Sequence, residues 1–207
     1  MIGLLLGDGY ISDNGRIGIE HCIEQREFCI YKAKLLHSVC GGKSIKVHEY
    51  ERTHSTRKDG KEYKSNTFTT VSFKKQSKSF IQFRELLYKE RKKVITREVL
   101  DLMDELSIAL WWMDDGCLSR RKLSNGDPGS YMLRLCTYLS KEENEIIQQY
   151  FIEKYNMEWN VVRADGDKNN TQFMLRCGVI EGRKFLTIIR DIVNKNVPTM
   201  SYKVLDI

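Results

Sequence analysis

Two aspartates occupy the same place in two similar stretches of this sequence. Asp8 closes an apolar run that begins at Ile2, Asp115 closes one that begins at Ile108, and a glycine follows each. An ionised carboxylate at the end of a buried apolar helix needs a cation or a hydrogen-bond donor to compensate its charge. Mg²⁺ meets this need with one or two carboxylates, water and phosphate oxygens as its ligands. The pair therefore predicts metal-assisted hydrolysis of a phosphodiester.

Two lysines recur at matching positions behind these aspartates. Lys93 follows Asp8, and Lys203 follows Asp115, at nearly the same distance along the chain. A lysine near a bound metal could orient the attacking water or stabilise charge on the transferring phosphoryl group. The alternative interpretation of each lysine is a solvated cation at a helix end.

The elements that would position these residues also occur twice. Each half of the chain predicts a helix, a strand, a helix, a strand pair, a further helix and the lysine, so we interpret the chain as a tandem duplication covering residues 1–95 and 96–207. Helices following the two motifs, and one short helix between the halves, are predicted at residues 24–40, 78–89, 97–103, 140–155 and 182–193. Strands are predicted at residues 16–23, 44–52, 67–74, 131–138, 159–164 and 171–177. This segregated order predicts an α+β fold.

Composition limits the classes of function that remain. The chain has 207 residues with 30% charged and 41% hydrophobic residues, which argues against disorder. Its net charge of +6 permits a nucleic-acid partner. A Walker loop, a dinucleotide-binding fingerprint and the paired cysteine spacing of a zinc site are all missing from the sequence. Six cysteines without a secretory signal predict reduced, mostly buried thiols in an intracellular protein of the cytoplasm or an organellar matrix.

The two motifs resemble a known signature. Residues Met1–Gly9 and Ile108–Gly116 are similar to the nine-residue LAGLIDADG sequence, and the order of elements resembles the double-motif, monomeric LAGLIDADG homing endonucleases. The resemblance covers nearly the whole chain, up to Pro198–Lys203. Leu110 stands where the signature has a glycine, and the following two tryptophans are bulkier than usual. The chain starts directly at the first motif, which leaves a missing or trimmed N-terminal extension as an expectation.

The resemblance implies a fold and an activity. The fold would have two pseudo-twofold-related repeats with saddle-shaped antiparallel sheets and a central two-helix interface. The activity would be site-specific cleavage of double-stranded DNA across the minor groove, leaving 3′ overhangs and requiring Mg²⁺, for which Mn²⁺ would substitute. Genes of this family usually lie inside introns or encode inteins. The implied metal ligands are Asp8, Asp115 and the carbonyl groups of Gly7 and Asp114, with Lys93 and Lys203 as basic active-site residues.

The outward faces of the sheets are the predicted DNA-binding surface. Side chains on such faces would contact base edges and phosphates. Arg163 is the weakest member of this set, because its segment does not alternate cleanly. The basic loops at residues 52–64 and 120–125 are predicted to follow the phosphate backbone. The full set of predicted DNA-binding residues is Arg16, Glu20, Lys46, His48, Lys74, Arg134, Arg163 and Arg176.

Three functions are compatible with this sequence. The first is a DNA endonuclease that acts as a monomer, without membrane or obligate protein partner, on a long asymmetric target site. The second is an RNA-binding maturase, a cofactor of intron splicing that has the same fold and does not cleave. The third is a DNA-binding module with an inactive site. The presence of both aspartates and both lysines favours the endonuclease.

Overall fold

A computed structural model of the chain describes residues 1–54, 57–58, 61–62, 66–122, 124, 128–166, 169 and 171–205. The described helices are α1 (Ile2–Leu6), α2 (Arg26–Cys40), α3 (Ile81–Leu87), α4 (Arg97–Asp101), α5 (Glu105–Asp115), α6 (Lys141–Tyr155) and α7 (Val179–Asn196). The described strands are β1 (Tyr10–Ile11), β2 (Arg16–Cys22), β3 (His48–His54), β4 (Arg57–Lys58), β5 (Lys61–Glu62), β6 (Asn66–Gln76), β7 (Tyr88–Lys89), β8 (Lys92–Lys93), β9 (Gly116–Lys122), β10 (Pro128–Leu139), β11 (Asn160–Arg163) and β12 (Phe173–Cys177). Short 3₁₀ helices cover Ile23–Gln25, Lys78–Phe80 and Pro198–Lys203.

The chain forms two compact units that differ from the predicted halves. One unit contains Asp8–Ile81, and the other combines Met1–Gly7 with Gln82–Ile207. Helix α1 therefore belongs to the same unit as the second motif. The predicted boundary at residue 95 concerns the sequence repeat, and it stays a prediction.

Each unit contains one four-stranded antiparallel sheet. In the Asp8–Ile81 unit the strand order is β1-β2-β6-β3, and in the other unit it is β9-β10-β12-β11. If β4 and β5, which pair only with each other, are set aside, both orders are first, second, fourth, third along the chain. The two sheets share one topology, which agrees with the duplication and confirms the predicted α+β fold with antiparallel sheets.

The core of the Asp8–Ile81 unit lies between its sheet and α2. Ile17, Ile19 and His21 alternate along β2 and are buried, as the strand pattern predicts for the first two. Helix α2 buries Phe28 and Leu36 against this face. The sheet and the helix therefore bury one face each, as an amphipathic pair should.

The core of the larger unit is built around α5 and a cluster of aromatic rings. Residues 107–113 of α5 are all buried. The rings of Trp112 and Phe185 lie 4.9 Å apart between their centroids, and Trp159 meets Phe185 edge to face at 5.2 Å.

Helix α6 starts with the predicted capping box, in which Ser140 and Glu143 satisfy each other's backbone N–H groups.

The two motif helices, α1 and α5, pack directly against each other within the larger unit. A Cβ atom at Gly3 would lie only 2.5 Å from the Cα atom and carbonyl oxygen of Ser107. Helix α5 begins at this contact, because the N-cap carboxylate of Asp104 accepts hydrogen bonds from Ser107 N at 2.7 Å and Ser107 Oγ at 2.6 Å. The predicted central two-helix interface is confirmed.

The sequence did not predict strands β1 and β9, and several predicted element boundaries differ from those of the structure. Two of these boundaries mark a change in the path of the chain. Strand β3 begins at His48 rather than at residue 44, because Ile45 and Val47 lie over α2, where they line a cavity of about 230 Å³ with Ala33. The helix predicted to reach residue 89 ends at Leu87, because the next residues pair as the hairpin β7–β8. Alternation and helical periodicity report burial, and neither reveals these changes of path.

Some predicted features fall partly outside the described residues. These are the hairpin turn at residues 165–170 and the basic loops at residues 52–64 and 120–125. Among the described helices, none combines the length and the apolar character needed to cross a membrane.

The contact at Gly3 generates a test of the central interface. Gly3→Ala places a methyl group against the backbone of Ser107, which cannot move aside as a side chain would. We expect the free energy of unfolding to fall by about 1–3 kcal/mol, as for other overpacked sites. Denaturant titration followed by tryptophan fluorescence measures this change.

Gly178→Ala is the matched control for this test. A Cβ atom at Gly178 meets nothing within 4 Å, and Gly178 has an ordinary φ of −90° at the N-cap of α7. The control should lose clearly less stability than Gly3→Ala. Equal losses in the two variants would contradict the close helix contact.

Candidate active site

A lysine from a distant part of the sequence binds the C-terminal end of helix α1. Lys93 Nζ donates hydrogen bonds to the carbonyl oxygens of Gly7 at 2.9 Å and Leu6 at 3.4 Å. The last carbonyl groups of a helix have no partner within the helix, and a cation there also interacts favourably with the helix dipole. Lys93 therefore holds the backbone directly before Asp8.

Helix α5 ends in the same way. Lys203 Nζ donates to the carbonyl oxygens of Asp114 at 2.9 Å and Met113 at 2.6 Å. Lys203 thus holds the backbone directly before Asp115. Both lysines lie at helix ends, as the alternative interpretation has it, but they are half-buried and not fully solvated. The structure gives the two motifs the same arrangement of lysine, carbonyl group and following aspartate.

Different local structures place the two lysines. Lys93 lies on the β7–β8 hairpin, whose turn residues Glu90 and Arg91 have φ angles of 48° and 69°. Lys203 ends the 3₁₀ helix Pro198–Lys203, and its carbonyl oxygen accepts a hydrogen bond from Trp112 Nε1 at 2.9 Å. A hairpin and a 3₁₀ helix therefore serve the same purpose in the two halves.

The two acids at the end of α5 are each fixed by a neighbour. Trp111 Nε1 donates to Asp115 Oδ2 at 3.0 Å, one helical turn away. The Asp114 side chain lies against Gly7, where an added Cβ atom would come within 2.1 Å of Asp114 Oδ2. Only a glycine at position 7 allows this approach of the carboxylate to the end of α1.

A cavity of about 300 Å³ opens beside these groups within the larger unit. Its walls include Gly7, Lys93, Trp111, Asp115 and Tyr138. Tyr138 has a φ of 53°, which is rare for a bulky residue, and it lies where the register of β10 and β12 shifts. Bulges of this kind re-aim side chains and are frequent next to active sites. Here the bulge points a half-exposed aromatic ring at the cavity that holds Asp115.

Asp8 is described within its own unit, at the start of the sheet. Its side chain is 47% exposed, and Asp8 Oδ2 lies 3.4 Å from Nδ1 of the buried His21. On the other edge of the ring, His21 Nε2 lies 3.1 Å from Nζ of Lys32. The oxygen donors of Asp8, Asp115 and the two lysine-bound carbonyl groups are of the type that hard divalent cations prefer.

Most of the predicted DNA-binding residues of the first sheet share one face. Arg16 and Glu20 alternate with the buried residues of β2. Glu20 pairs in register with Ser72, which pairs with His48, and Lys74 pairs with Gly18 of β2. Lys46 is exposed in the segment that precedes β3. This face also carries Tyr50 and Arg52, both of which donate to the Glu20 carboxylate.

The second sheet brings together only two of its three predicted residues. Arg134 and Arg176 are partners in register on β10 and β12, and Arg134 also donates to Asp165 at 2.6 Å. Arg163 is exposed, but it pairs with Phe173 on β12. Two residues away on the same face, Val161 pairs with the buried Leu175. Its register therefore assigns it to the other face of the sheet, which the irregular alternation of its segment did not reveal.

Comparison with known proteins identifies the family. A model described as the LAGLIDADG DNA endonuclease family matches residues 1–185. The chain belongs to this family.

Solved structures with a similar fold include two that are bound to DNA. The homing endonuclease I-WcaI bound to its DNA recognition sequence has a TM-score of 0.73 at 19% identity, over 99% of this chain and 83% of that one. The meganuclease I-SmaMI bound to uncleaveable DNA has a TM-score of 0.50 at 9% identity, over 95% of this chain and 82% of that one. These likenesses concern the fold.

Two curated relatives are longer than this chain. The cytochrome b mRNA maturase bI2 of Saccharomyces cerevisiae is 26% identical over 221 residues, which cover 97% of this chain and 45% of the maturase. Protein RecA of Mycolicibacterium flavescens is 23% identical over 216 residues, which cover 99% of this chain and 45% of that protein. The chain spans about half the length of these relatives.

Sequence reasoning missed four side chains that support this LAGLIDADG site. Trp111 and Trp112 were noted only for their bulk, although the four-residue spacing from Trp111 to Asp115 was a usable signal. His21 has the inward phase of its strand, so its position also carried a signal. Lys32 gave none, because a lysine in an amphipathic helix normally lies in solvent.

The cysteines are less buried than predicted. Cys29 and Cys177 are buried, Cys22 is exposed, and the other three are half-buried; none of the six is in a disulfide. Cys136 lines the cavity beside Asp115, and its burial, with the nearby Cys117, raises the pKa of its thiol above the usual range. A protonated thiol is a poor nucleophile, so Cys136 does not offer covalent catalysis at neutral pH.

The raised pKa of Cys136 predicts its alkylation behaviour. Because the thiolate is the reactive form, the rate of its reaction with iodoacetamide should keep rising through pH 9. Mass spectrometry of the labelled peptide against pH measures the rate, and Cys136→Ser identifies the peptide. A rate that levels off below pH 8 would contradict the assigned protonation state.

Proposed function

We propose that this chain is a site-specific endonuclease that hydrolyses both strands of a DNA target in a reaction that depends on Mg²⁺. The observation that carries the proposal is the repeated helix end. In each motif a lysine holds the carbonyl group directly before an aspartate, and the chain belongs to a family of DNA endonucleases. A helix that needed only a C-cap would not require an acid next to the cation.

Asp8 and Asp115 are the proposed ligands of the divalent cations, with the carbonyl oxygens of Gly7 and Asp114 as further ligands. Each carbonyl oxygen has two lone pairs, so a hydrogen bond from lysine is compatible with a second interaction. A bound divalent cation would polarise the phosphodiester and lower the pKa of an attacking water. Trp111 contributes by fixing the orientation of the Asp115 carboxylate.

Lys93 and Lys203 are the proposed electrostatic partners of the reacting phosphates. Each ammonium group is held by two carbonyl groups. Its positive charge would stabilise a reacting phosphate oxygen or orient the attacking water. Because the backbone bonds hold the lysine in place before substrate arrives, little reorganisation is needed during the reaction.

The outer faces of the two sheets are the proposed DNA-binding surfaces. One carries Arg16, Lys74 and His48, and the other carries Arg134 and Arg176, within a chain of net charge +6. Arginine and lysine on such faces contact phosphates and guanine edges. We propose that one chain binds one long, asymmetric site, cuts across the minor groove and leaves 3′ overhangs, inside the cell in which its gene is expressed.

RNA binding as a maturase is the second candidate function. It is favoured by the 26% identity to the cytochrome b mRNA maturase bI2 over nearly the whole chain. Splicing assistance needs neither aspartate as a metal ligand, whereas cleavage needs both. Nicking of supercoiled plasmids that carry candidate targets, with and without Mg²⁺, distinguishes the two functions, and selection of cleaved sequences from a randomised DNA library supplies the target.

Metal dependence is the first expectation of the endonuclease proposal. Without a cation, the carboxylates only repel a phosphate. Cleavage of the selected target should require Mg²⁺ or Mn²⁺, whereas Ca²⁺, which accepts looser coordination geometry, should support binding alone. Full cleavage in excess chelator would refute the mechanism.

Replacement of each aspartate tests its role separately. Asp8→Asn and Asp115→Asn keep the size of the side chain and remove the charge that holds a hard cation. Single-turnover cleavage of each labelled strand, at saturating protein, should slow by orders of magnitude, while DNA binding in Ca²⁺ should change little because phosphate contacts supply most of the affinity. Lys93→Met and Lys203→Met should be milder, since water can partly replace an ammonium group.

Asp13→Asn is the control for these variants. It makes the same chemical change at an exposed turn near Asp8 in sequence. The cleavage rates of the two DNA strands should stay at their wild-type values. Wild-type rates on both strands for Asp8→Asn or Asp115→Asn would remove that residue from the mechanism.

A further inference from the structure

A buried histidine and a buried lysine lie behind Asp8. The His21 side chain is 1% exposed, and its Nδ1 atom faces two oxygens, Gln25 Oε1 at 2.9 Å and Asp8 Oδ2 at 3.4 Å. Its Nε2 atom faces Lys32 Nζ at 3.1 Å. Three polar side chains therefore surround one imidazole within the Asp8–Ile81 unit.

Lys32 is the unusual member of this group. Its side chain has no exposed surface, and its ammonium group also lies 4.2 Å from the ring centroid of Phe28. Lysine is almost never fully buried unless it is paired, because removing its charge from water is unfavourable. An apolar residue at this position of α2 would pack in the core without that cost. The burial therefore points to a purpose other than stability.

The contacts of Lys32 fix the tautomer of His21. An ammonium group donates hydrogen bonds and accepts none, so Nε2 must be the acceptor. The proton of the neutral imidazole is then on Nδ1, which faces the two oxygen acceptors. In this tautomer each of these three contacts of the ring pairs a donor with an acceptor.

We propose that Lys32 and His21 are positioning residues, which form a relay that orients the Asp8 carboxylate towards its cation. The proposal rests on the proposed function for the role of Asp8 as a ligand. Hydrogen bonds to a ligating carboxylate tune metal sites, and loss of such a partner typically lowers metal affinity or activity about 10–100-fold. The relay thus assigns a use to a buried charge that the fold alone does not need.

The second half of the chain supports its aspartate differently. Tyr10 and Cys117 each lie two residues after a motif aspartate, and they pair with Gly18 and Arg134. Three residues beyond these partners lie His21 on β2 and Thr137 on β10, which are therefore equivalent positions. Thr137 Oγ1 donates to the buried Asn144 at 2.7 Å, while Asp115 is held by Trp111. The relay therefore belongs to the first motif, and its loss should affect the chemistry of Asp8 specifically.

The first test reads the tautomer without any cleavage. Histidine-selective ¹⁵N NMR of the full chain should show a protonated Nδ1 and an unprotonated Nε2 for His21, whose signals are assigned by their disappearance in His21→Asn. In Lys32→Met the donor to Nε2 is gone, so the ¹⁵N signal of Nε2 should shift, while the two oxygens that face Nδ1 keep the proton on that atom. Lys34→Met, an exposed position on the same helix, should leave the His21 signals unchanged.

The second test measures single-turnover cleavage of the selected DNA target in Mg²⁺. Lys32→Met should lower the rate about tenfold or more, with DNA affinity in Ca²⁺ within about twofold of wild type. Lys34→Met carries the same loss of charge and should cleave at the wild-type rate. Melting temperatures of both variants ensure that the assay temperature lies well below unfolding.

Two histidine variants keep the test decisive if Lys32→Met does not fold. The amide nitrogen of His21→Asn can take the place of Nδ1 and still donate to Asp8, whereas the amide of His21→Gln takes the place of Nε2. The relay predicts that the asparagine variant cleaves faster. A purely structural role predicts the reverse, because glutamine is closer to histidine in size.

The outcomes separate this inference from the proposed function. A wild-type chain that cleaves no DNA would end the endonuclease proposal, while the NMR tautomer would still decide whether the relay exists. An unprotonated Nδ1 in the wild type would overturn the relay. Equal cleavage by Lys32→Met and Lys34→Met, or faster cleavage by the glutamine variant, would overturn its positioning role.

Discussion

The backbone carbonyl groups at the ends of the two motif helices are the constraint on which the rest of the structure depends. Helices α1 and α5 pack against each other where Gly3 faces Ser107, and the lysines at their C-terminal ends are half-buried. Carbonyl groups in such a place need donors. Lys93 and Lys203 supply them, and each lysine is thereby placed next to an acid of the motif. Under the proposed function, the ammonium groups that bind the helix ends also stabilise charge on the reacting phosphates.

The repeated elements were predictable because repetition adds information to weak local patterns. The apolar runs before Asp8 and Asp115, the alternation in β2 and the capping box of α6 each identify an element correctly. Sequence spacing alone also indicated that Lys93 and Lys203 are equivalent. The structure adds what each lysine contacts.

The parts that could not be predicted depend on contacts between residues distant in sequence. The hairpin β7–β8 has no glycine at its turn, so the sequence pattern extends the preceding helix over Tyr88 and Lys89. The start of β3 depends on the packing of Ile45 and Val47 over α2. A lysine normally lies at the surface, so the sequence gives no sign that Lys32 is buried. Only the structure shows that His21 and Phe28 surround its ammonium group.

The lysine contacts also bear on how this repeat can change over time. Both ammonium groups bind main-chain oxygen atoms, which every amino acid provides, so the lysine contact itself does not select the side chain at that position. The two halves differ there, since glycine stands before one aspartate and a second aspartate before the other, while the contact distance is 2.9 Å in both. A motif anchored through its backbone can therefore drift in sequence and retain its geometry wherever the packing leaves room for the new side chain.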